Sequence, residues 1–334
     1  SKALKKVTTE DGKTTVQIEL DYPAKTQGSV IEEMVRAKLV EAGIPADVKI
    51  SQNIIAHEVQ RGVKVFDSVR NIIAVSSGKG GVGKSTVSAN LALALQQEGA
   101  KVGLLDADVY GPSQPTMLGI TDKPYSVDGK TLEPMVAHGL QVASVGVLID
   151  PDQPMIWRGP LAVSALQQLL KQTNWKDLDY LIVDMPPGTG DIQLSLSQEV
   201  PLTGAVVVTT PQDIALMDAR KGLVMFEKVN VPILGIIENM ATHICSKCGH
   251  EEHIFGEGGA AKMAAQYGVE LLGELPLDIN IRLSMDKGEP IVISDPDSKV
   301  AQAYREIARK LAVAVSKKNK DYSAKMPSIK VSDT

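Results

Sequence analysis

The chain has 334 residues, long enough to bury a real core without staples and suited to one large domain plus a small one. Hydrophobic residues make up 43 % and charged residues 22 %, an ordinary globular balance, and the net charge of −5 argues against sequence-independent nucleic-acid binding, which wants a basic face. No run approaches the roughly 18 apolar residues of a membrane span, no secretory signal opens the chain, and two cysteines are too few for a disulfide framework, so no membrane and a reducing cytoplasm are expected.

Residues 1–65 read as a small α/β module. Residues 14–20 alternate polar and apolar side chains as a half-buried strand does. Ser29 then opens a helix with apolar spacing through Leu39 and Val40, and Glu32, three residues on, completes a capping-box pattern. Gly43 and Pro45 stop that helix, residues 48–50 resume an extended pattern, and the polar stretch Arg61–Arg70 reads as a linker.

From residue 66 to 316 the pattern becomes strand–helix alternation. Aliphatic runs at 72–75, 102–105, 142–145, 181–183, 205–208, 233–237 and 271–272 are separated mostly by helical stretches at 85–98, 160–172, 214–229, 259–267 and 298–315. Continuous aliphatic strands between helices predict an α/β fold, a mostly parallel sheet covered on both faces. Residues 317–334, rich in lysine and serine, are expected to be a flexible tail.

Gly78-Lys79-Gly80-Gly81-Val82-Gly83-Lys84-Ser85 fits a phosphate-binding P-loop, between a strand and a helix as the mechanism requires. Glycines let main-chain N–H groups wrap phosphates at a helix N-terminus, Lys84 is positioned for the β/γ-phosphates of ATP, and the Ser85 hydroxyl for Mg²⁺. Two other strands end in carboxylates: Asp106-Ala107-Asp108, and Asp184 followed by Met185-Pro186-Pro187-Gly188-Thr189-Gly190-Asp191. Ligands of open α/β sheets lie beyond the carboxyl ends of the strands, so these stretches converge on the loop. Asp184 reads as the carboxylate holding Mg²⁺ through water, Asp106 as a further magnesium candidate, and either Asp106 or Asp108 as the group orienting the attacking water.

The loop with its additional lysine, Lys79, and Thr86 after it resembles the deviant P-loop of the MinD-like NTPases. The resemblance runs through Asp106–Ser113, Asp184–Asp191 and Glu238-Asn239-Met240, and with Cys245-Ser246-Lys247-Cys248-Gly249 it is similar to the Mrp/ApbC iron–sulfur cluster carriers over about residues 55–315. It implies a homodimer in which Lys79 reaches the partner's nucleotide, as an arginine finger does. It also implies that Asp108 is the switch carboxylate near the attacking water, that Asn239 contacts adenine, and that the chain hydrolyses ATP. Cluster-assembly scaffolds and apo iron–sulfur proteins are the implied partners.

Cys245 and Cys248 are spaced to bind one metal together as thiolates, and each chain supplies only these two sulfurs. Three readings follow. The resemblance implies a 4Fe–4S cluster shared by two chains. Neighbouring His243, His250 and His253 allow a zinc site instead, in a MinD-like positioning or regulatory ATPase. A redox dithiol is disfavoured, because the pair does not open a helix after a thioredoxin-like strand. The N-terminal turn Asp21–Thr26 lacks the cysteine that many relatives carry there, so that module is expected either to dock a partner without a metal of its own or to serve as a structural appendage.

Overall fold

The computed structural model describes residues 3–11, 13–60, 63–147, 159–245 and 247–321; Arg61, Gly62, Ser246 and the expected tail from 322 onward lie outside these. Leu4–Glu10, exposed along nearly its whole length, carries no apolar side to signal it, yet it forms a strand, β1. It pairs antiparallel with β2 (Lys13–Leu20), whose alternation buries Val16 and Leu20. Helix α1 (Gly28–Glu41) then crosses to β3 (Ala46–Gln52), parallel to β2. The expected capping box does not form. A 3₁₀ turn at Lys25–Gln27 runs straight into α1, which places Ser29 inside the helix, and Glu32 Oε1 instead accepts from Ile50 N at 3.4 Å.

Residues 53–60 strap this module to the larger domain. Gln60 is buried, donates to the carbonyls of Ser197 (2.7 Å) and Val200 (3.0 Å), and accepts from Leu202 N (2.8 Å). His57 Nδ1 lies 2.9 Å from Asn71 Oδ1, and residues 56–58 pair with residues 319–321, so the start of the expected tail is held. Arg70, expected in a linker, already belongs to the next strand and pairs with Asp177 (2.7 Å) and Asp179 (3.0 Å).

The larger domain follows as β4 (Val69–Ser77), α2 (Lys84–Gln97), β5 (Val102–Asp106), the short α3 (Gln114–Met117), β6 (Met135–Ala137), β7 (Leu140–Ser144), α4 (Gly159–Gln172), β8 (Leu178–Asp184) and α5 (Asp191–Glu199). It continues through β9 (Gly204–Thr209), α6 (Asp213–Lys228), β10 (Ile233–Glu238), a hairpin of β11 (His243–Ile244) and β12 (Glu251–Glu252), α7 (Gly259–Tyr267), β13 (Leu271–Glu274), α8 (Ile279–Asp286), α9 (Ile291–Ser294) and α10 (Lys299–Ser316). Its large sheet has the order β13-β10-β9-β4-β8-β5-β7-β6, parallel throughout except where β6 turns back on β7.

Alternate side chains of each strand feed two cores, as an aliphatic strand covered on both faces requires. Ile73 and Val75 pack with α2 and α10, whereas Ile72 and Ala74 pack with α4 to α7. Helix α2 is apolar nearly all round, with residues 91–95 (Leu-Ala-Leu-Ala-Leu) wholly buried, as suits a helix sandwiched between the sheet and α10.

A buried carboxylate clasps the module to this core. Glu98, wholly buried after the last turn of α2, accepts from Arg309 (2.6 Å), the Thr26 hydroxyl (2.6 Å) and Thr26 N (3.0 Å). Removing one partner strands a buried charge. Arg309→Met is therefore expected to lower unfolding free energy by about 3 kcal/mol, read by urea denaturation; a change near zero would show the clasp to be dispensable.

Candidate functional site

Parallel pairing sets the site. The register places Asp106 beside Asp184 across β5 and β8, and Asp184 beside Val75 of the strand that feeds the P-loop. The loop is gripped from two sides. A Cβ on Gly78 would collide with the main chain of Asp218 in α6, so only glycine lets strand and helix approach this closely. Gly83 has φ +82° and faces the Asn239 side chain, whose Nδ2 donates to the Val82 carbonyl at 2.8 Å. Between those grips, a Cβ on Gly80 or Gly81 would meet nothing within 4 Å, so this stretch opens outward at the head of α2.

Asp184 is wholly buried and enclosed by donors. Lys84 Nζ lies 2.5 Å from Oδ1, Ser88 Oγ 2.9 Å from the same oxygen, and Gln114 Nε2 donates to Oδ2 at 2.9 Å. Lys84, expected on phosphates, thus rests on Asp184, and its ammonium also lies 3.2 Å from Ser85 Oγ. A desolvated carboxylate needs such a partner.

Among the described residues Asp106 has no cation within ion-pair distance. Oδ2 accepts from Ser113 N (3.1 Å), Gln114 N (3.1 Å) and Ser144 Oγ (3.0 Å), and Oδ1 from Asp108 N (3.2 Å). Burial, and after it the charge of Asp184, nevertheless push its carboxyl up to about 7. Asp108, buried at the next turn, accepts from Tyr110 N at 3.2 Å. The carbonyl of Thr86 accepts from Asn90 Nδ2 (3.0 Å). The Lys79 ammonium has no carboxylate within ion-pair distance among the described residues.

The residues fit a magnesium nucleotide. Ser85, Asp106 and Asp184 present oxygen atoms, the donor type of a hard cation. Gln114 Oε1, on a side chain that touches Asp184, is buried and without a partner among the described residues. Gln114, Ser88 and Ser144 were not expected. Ser88 could have been read from its place one turn after Lys84 on the same helix face, but Gln114 and Ser144 reach the site only through tertiary packing.

The cysteines sit at the tip of the β11–β12 hairpin, Cys245 half-buried and Cys248 exposed. Cys245 N donates to the His250 carbonyl (2.9 Å), and Gly249, at φ +72°, returns its N–H to the Cys245 carbonyl (2.8 Å). The N–H groups of Lys247 and Cys248, and then the Cys248 side chain, bond to the Cys245 sulfur and hold its thiol below the ordinary range, which favours the thiolate that binds metals. His243 and His253 direct Nδ1 at the carbonyls of Leu277 (3.3 Å) and Ala241 (3.0 Å). Among the described residues no three His, Cys, Asp or Glu side chains gather where they could hold a metal, so the two sulfurs stand as a pair.

A family model described as ParA, NUBPL iron-transfer P-loop NTPase, matches residues 68–312. The iron–sulfur cluster carrier protein of Escherichia coli K12 is 54% identical over 314 residues, covering 93% of this chain and 85% of that protein. The iron–sulfur cluster carrier protein of Aquifex aeolicus is 45% identical over 354 residues, covering 95% and 97%. Among solved structures, a nucleotide-binding protein of Archaeoglobus fulgidus in complex with ADP is 37% identical with a TM-score of 0.62, covering 71% of this chain and 92% of that one. No helix among the described residues is long and apolar enough to cross a membrane.

The carboxylate pair has a pH signature. The folded chain keeps the Asp106 proton up to about 7, whereas an unfolded aspartate releases it near 3.8, so stability falls as pH rises between those values. Without nucleotide and in EDTA, the melting temperature of Asp106→Asn relative to the parent chain should therefore climb from about pH 4 to about pH 7. Parallel pH profiles for the two proteins would overturn this assignment.

Proposed function

The chain belongs to the ParA family of P-loop NTPases, in its NUBPL iron-transfer group, and we propose that it is an ATP-hydrolysing carrier that binds a 4Fe–4S cluster between two copies of itself and passes it to apo-proteins. One observation carries this reading: a half-buried and an exposed sulfur paired at a hairpin tip, the first with its thiol held below the ordinary range, with no third ligand gathered beside them among the described residues, on a P-loop NTPase. Two sulfurs leave two positions of a four-cysteine cluster unfilled, and the same pair on a second copy fills them. A zinc site built within one chain would need further ligands, and among the described residues the neighbouring histidines do not gather with the sulfurs.

The nucleotide site works through exchange of partners. Main-chain N–H groups of Gly80 to Ser85 receive the phosphates, and Lys84 leaves Asp184 to meet them, which frees Asp184 Oδ1 for the metal. Mg²⁺, when bound by Ser85, Asp106 and Asp184, supplies positive charge against the charge that develops on the phosphates. Asp108 orients the attacking water. Lys79, without a carboxylate partner among the described residues, is available to the nucleotide of the second copy. Asn239 retains its hold on the loop beneath adenine.

Loop and cluster site are joined by a short path. Asn239 precedes Cys245 by six residues, a span of at most about 22 Å even fully extended. Movement of the loop on hydrolysis thereby reaches the thiolates and alters how tightly two copies hold the cluster. Residues 1–65 serve as the docking module for acceptor or scaffold proteins, a role supported by the exposed apolar residues Val30, Met34, Val40 and Ile44 along and just after α1.

Anaerobic reconstitution with iron and sulfide tests the carrier. The native chain should bind one cluster per dimer and deliver it to an apo-acceptor, and Cys245→Ser and Cys248→Ser should each abolish binding; equal binding by either variant would sink the reading. For hydrolysis, Lys84→Ala should abolish turnover, and Lys79→Ala should lower kcat by about 10³-fold. Unchanged rates in a phosphate-release assay would refute the roles given to these lysines.

A further inference from the structure

Gln114 touches the site at three places. Its Nε2 donates to Asp184 Oδ2 and to the Ser85 carbonyl, each at 2.9 Å, and its main-chain N–H donates to Asp106 Oδ2 at 3.1 Å. The side chain is wholly buried. A carboxylate oxygen and a carbonyl are acceptors only, so the NH₂ end must face them, and this fixes the amide's orientation by chemistry. Oε1 is thereby turned away from both, where it is buried and, among the described residues, without a partner. Few other side chains could serve here. A glutamate would set a third negative charge against Asp184 and Asp106, and an apolar residue would strand one oxygen of the buried Asp184 carboxylate.

We propose that Gln114 is the positioning residue of the magnesium site: it fixes Asp184 to the start of α2 and fixes Asp106 through its own backbone. The proposal rests on the reading of Asp106 and Asp184 as the magnesium carboxylates. Its physical sense is that a metal-binding carboxylate is oriented by its own hydrogen-bond partners, whose loss weakens metal affinity by about 10- to 100-fold. Gln114 also joins the P-loop helix to the segment after Asp106, so one side chain senses both.

The test uses the full chain with a fluorescent ADP analogue and buffered free Mg²⁺, reading the Mg²⁺ concentration that half-saturates the nucleotide complex. Gln114→Met keeps the length and removes every side-chain hydrogen bond; Gln114→Asn keeps the amide but draws it back by one methylene and serves where the methionine variant does not fold. Both are expected to raise half-saturation by about 10- to 100-fold. A purely structural glutamine would lower the melting temperature in EDTA and leave the Mg²⁺ requirement where it was, and that result would overturn the proposal. Asp184→Asn, run alongside, separates the two ideas. If it raises the Mg²⁺ requirement and the Gln114 variants do not, the role of Gln114 fails alone. If Asp184→Asn also leaves the requirement unchanged, the magnesium reading fails and takes the proposal with it.

Discussion

Two carboxylates side by side at the dry end of a parallel sheet set the terms for everything around them. The β5–β8 register makes Asp106 and Asp184 neighbours, and both are wholly buried. Charges in such a place must be compensated or protonated. The protein uses each remedy once: Asp184 takes the ammonium of Lys84, while Asp106 relies on backbone and hydroxyl donors and on a raised affinity for its proton. The arrangement is closed and self-satisfied, and in the proposed function each remedy gives way to a divalent cation with its nucleotide. On that proposal Lys84 is a placeholder on Asp184 until phosphates arrive.

The same end of the sheet is mechanically stiff. The P-loop abuts the main chain of α6 at Gly78 and is tied to Asn239 at Val82, and the Gly188 N–H reaches the Ser77 carbonyl at 2.9 Å. In the proposed function, a change at the phosphates passes outward along the chains that hold the loop. One of those chains leads directly from Asn239 to the cysteine hairpin; another leads through the segment after Asp184 into α5, on which Gln60 of the strap rests.

Much of this was legible in the residue pattern, for physical reasons. A buried parallel strand is aliphatic on both faces, so β4, β8 and β9 stand out, and a P-loop is a local object whose glycines, lysine and hydroxyl are contiguous. Elements stabilised by their surroundings were not legible: β1 has no buried face, β6 is short and antiparallel, and α3 is a single turn. Ser29 and Glu32 had the spacing of a cap but not its backbone, because the preceding residues were already turning. Gln114 carried no signal because its importance comes from two acceptors, one of them 70 residues away. The pairing of Cys245 with Cys248 was plain, whereas the absence of a third gathered ligand needed the fold.

The strand order also dictates when the site can exist. The central strand β4 is flanked by β8 and β9, and the Lys84–Asp184 contact spans 100 residues of chain. On a ribosome, the P-loop emerges long before either neighbour of its strand, so its aliphatic run must wait unpaired while the intervening chain is made. Long-range parallel pairing of this kind is slow and exposes sticky edges in the interval. Competence to bind nucleotide therefore comes late in synthesis, and a nascent chain halted before β9 would present the glycine-rich segment without the scaffold that shapes it.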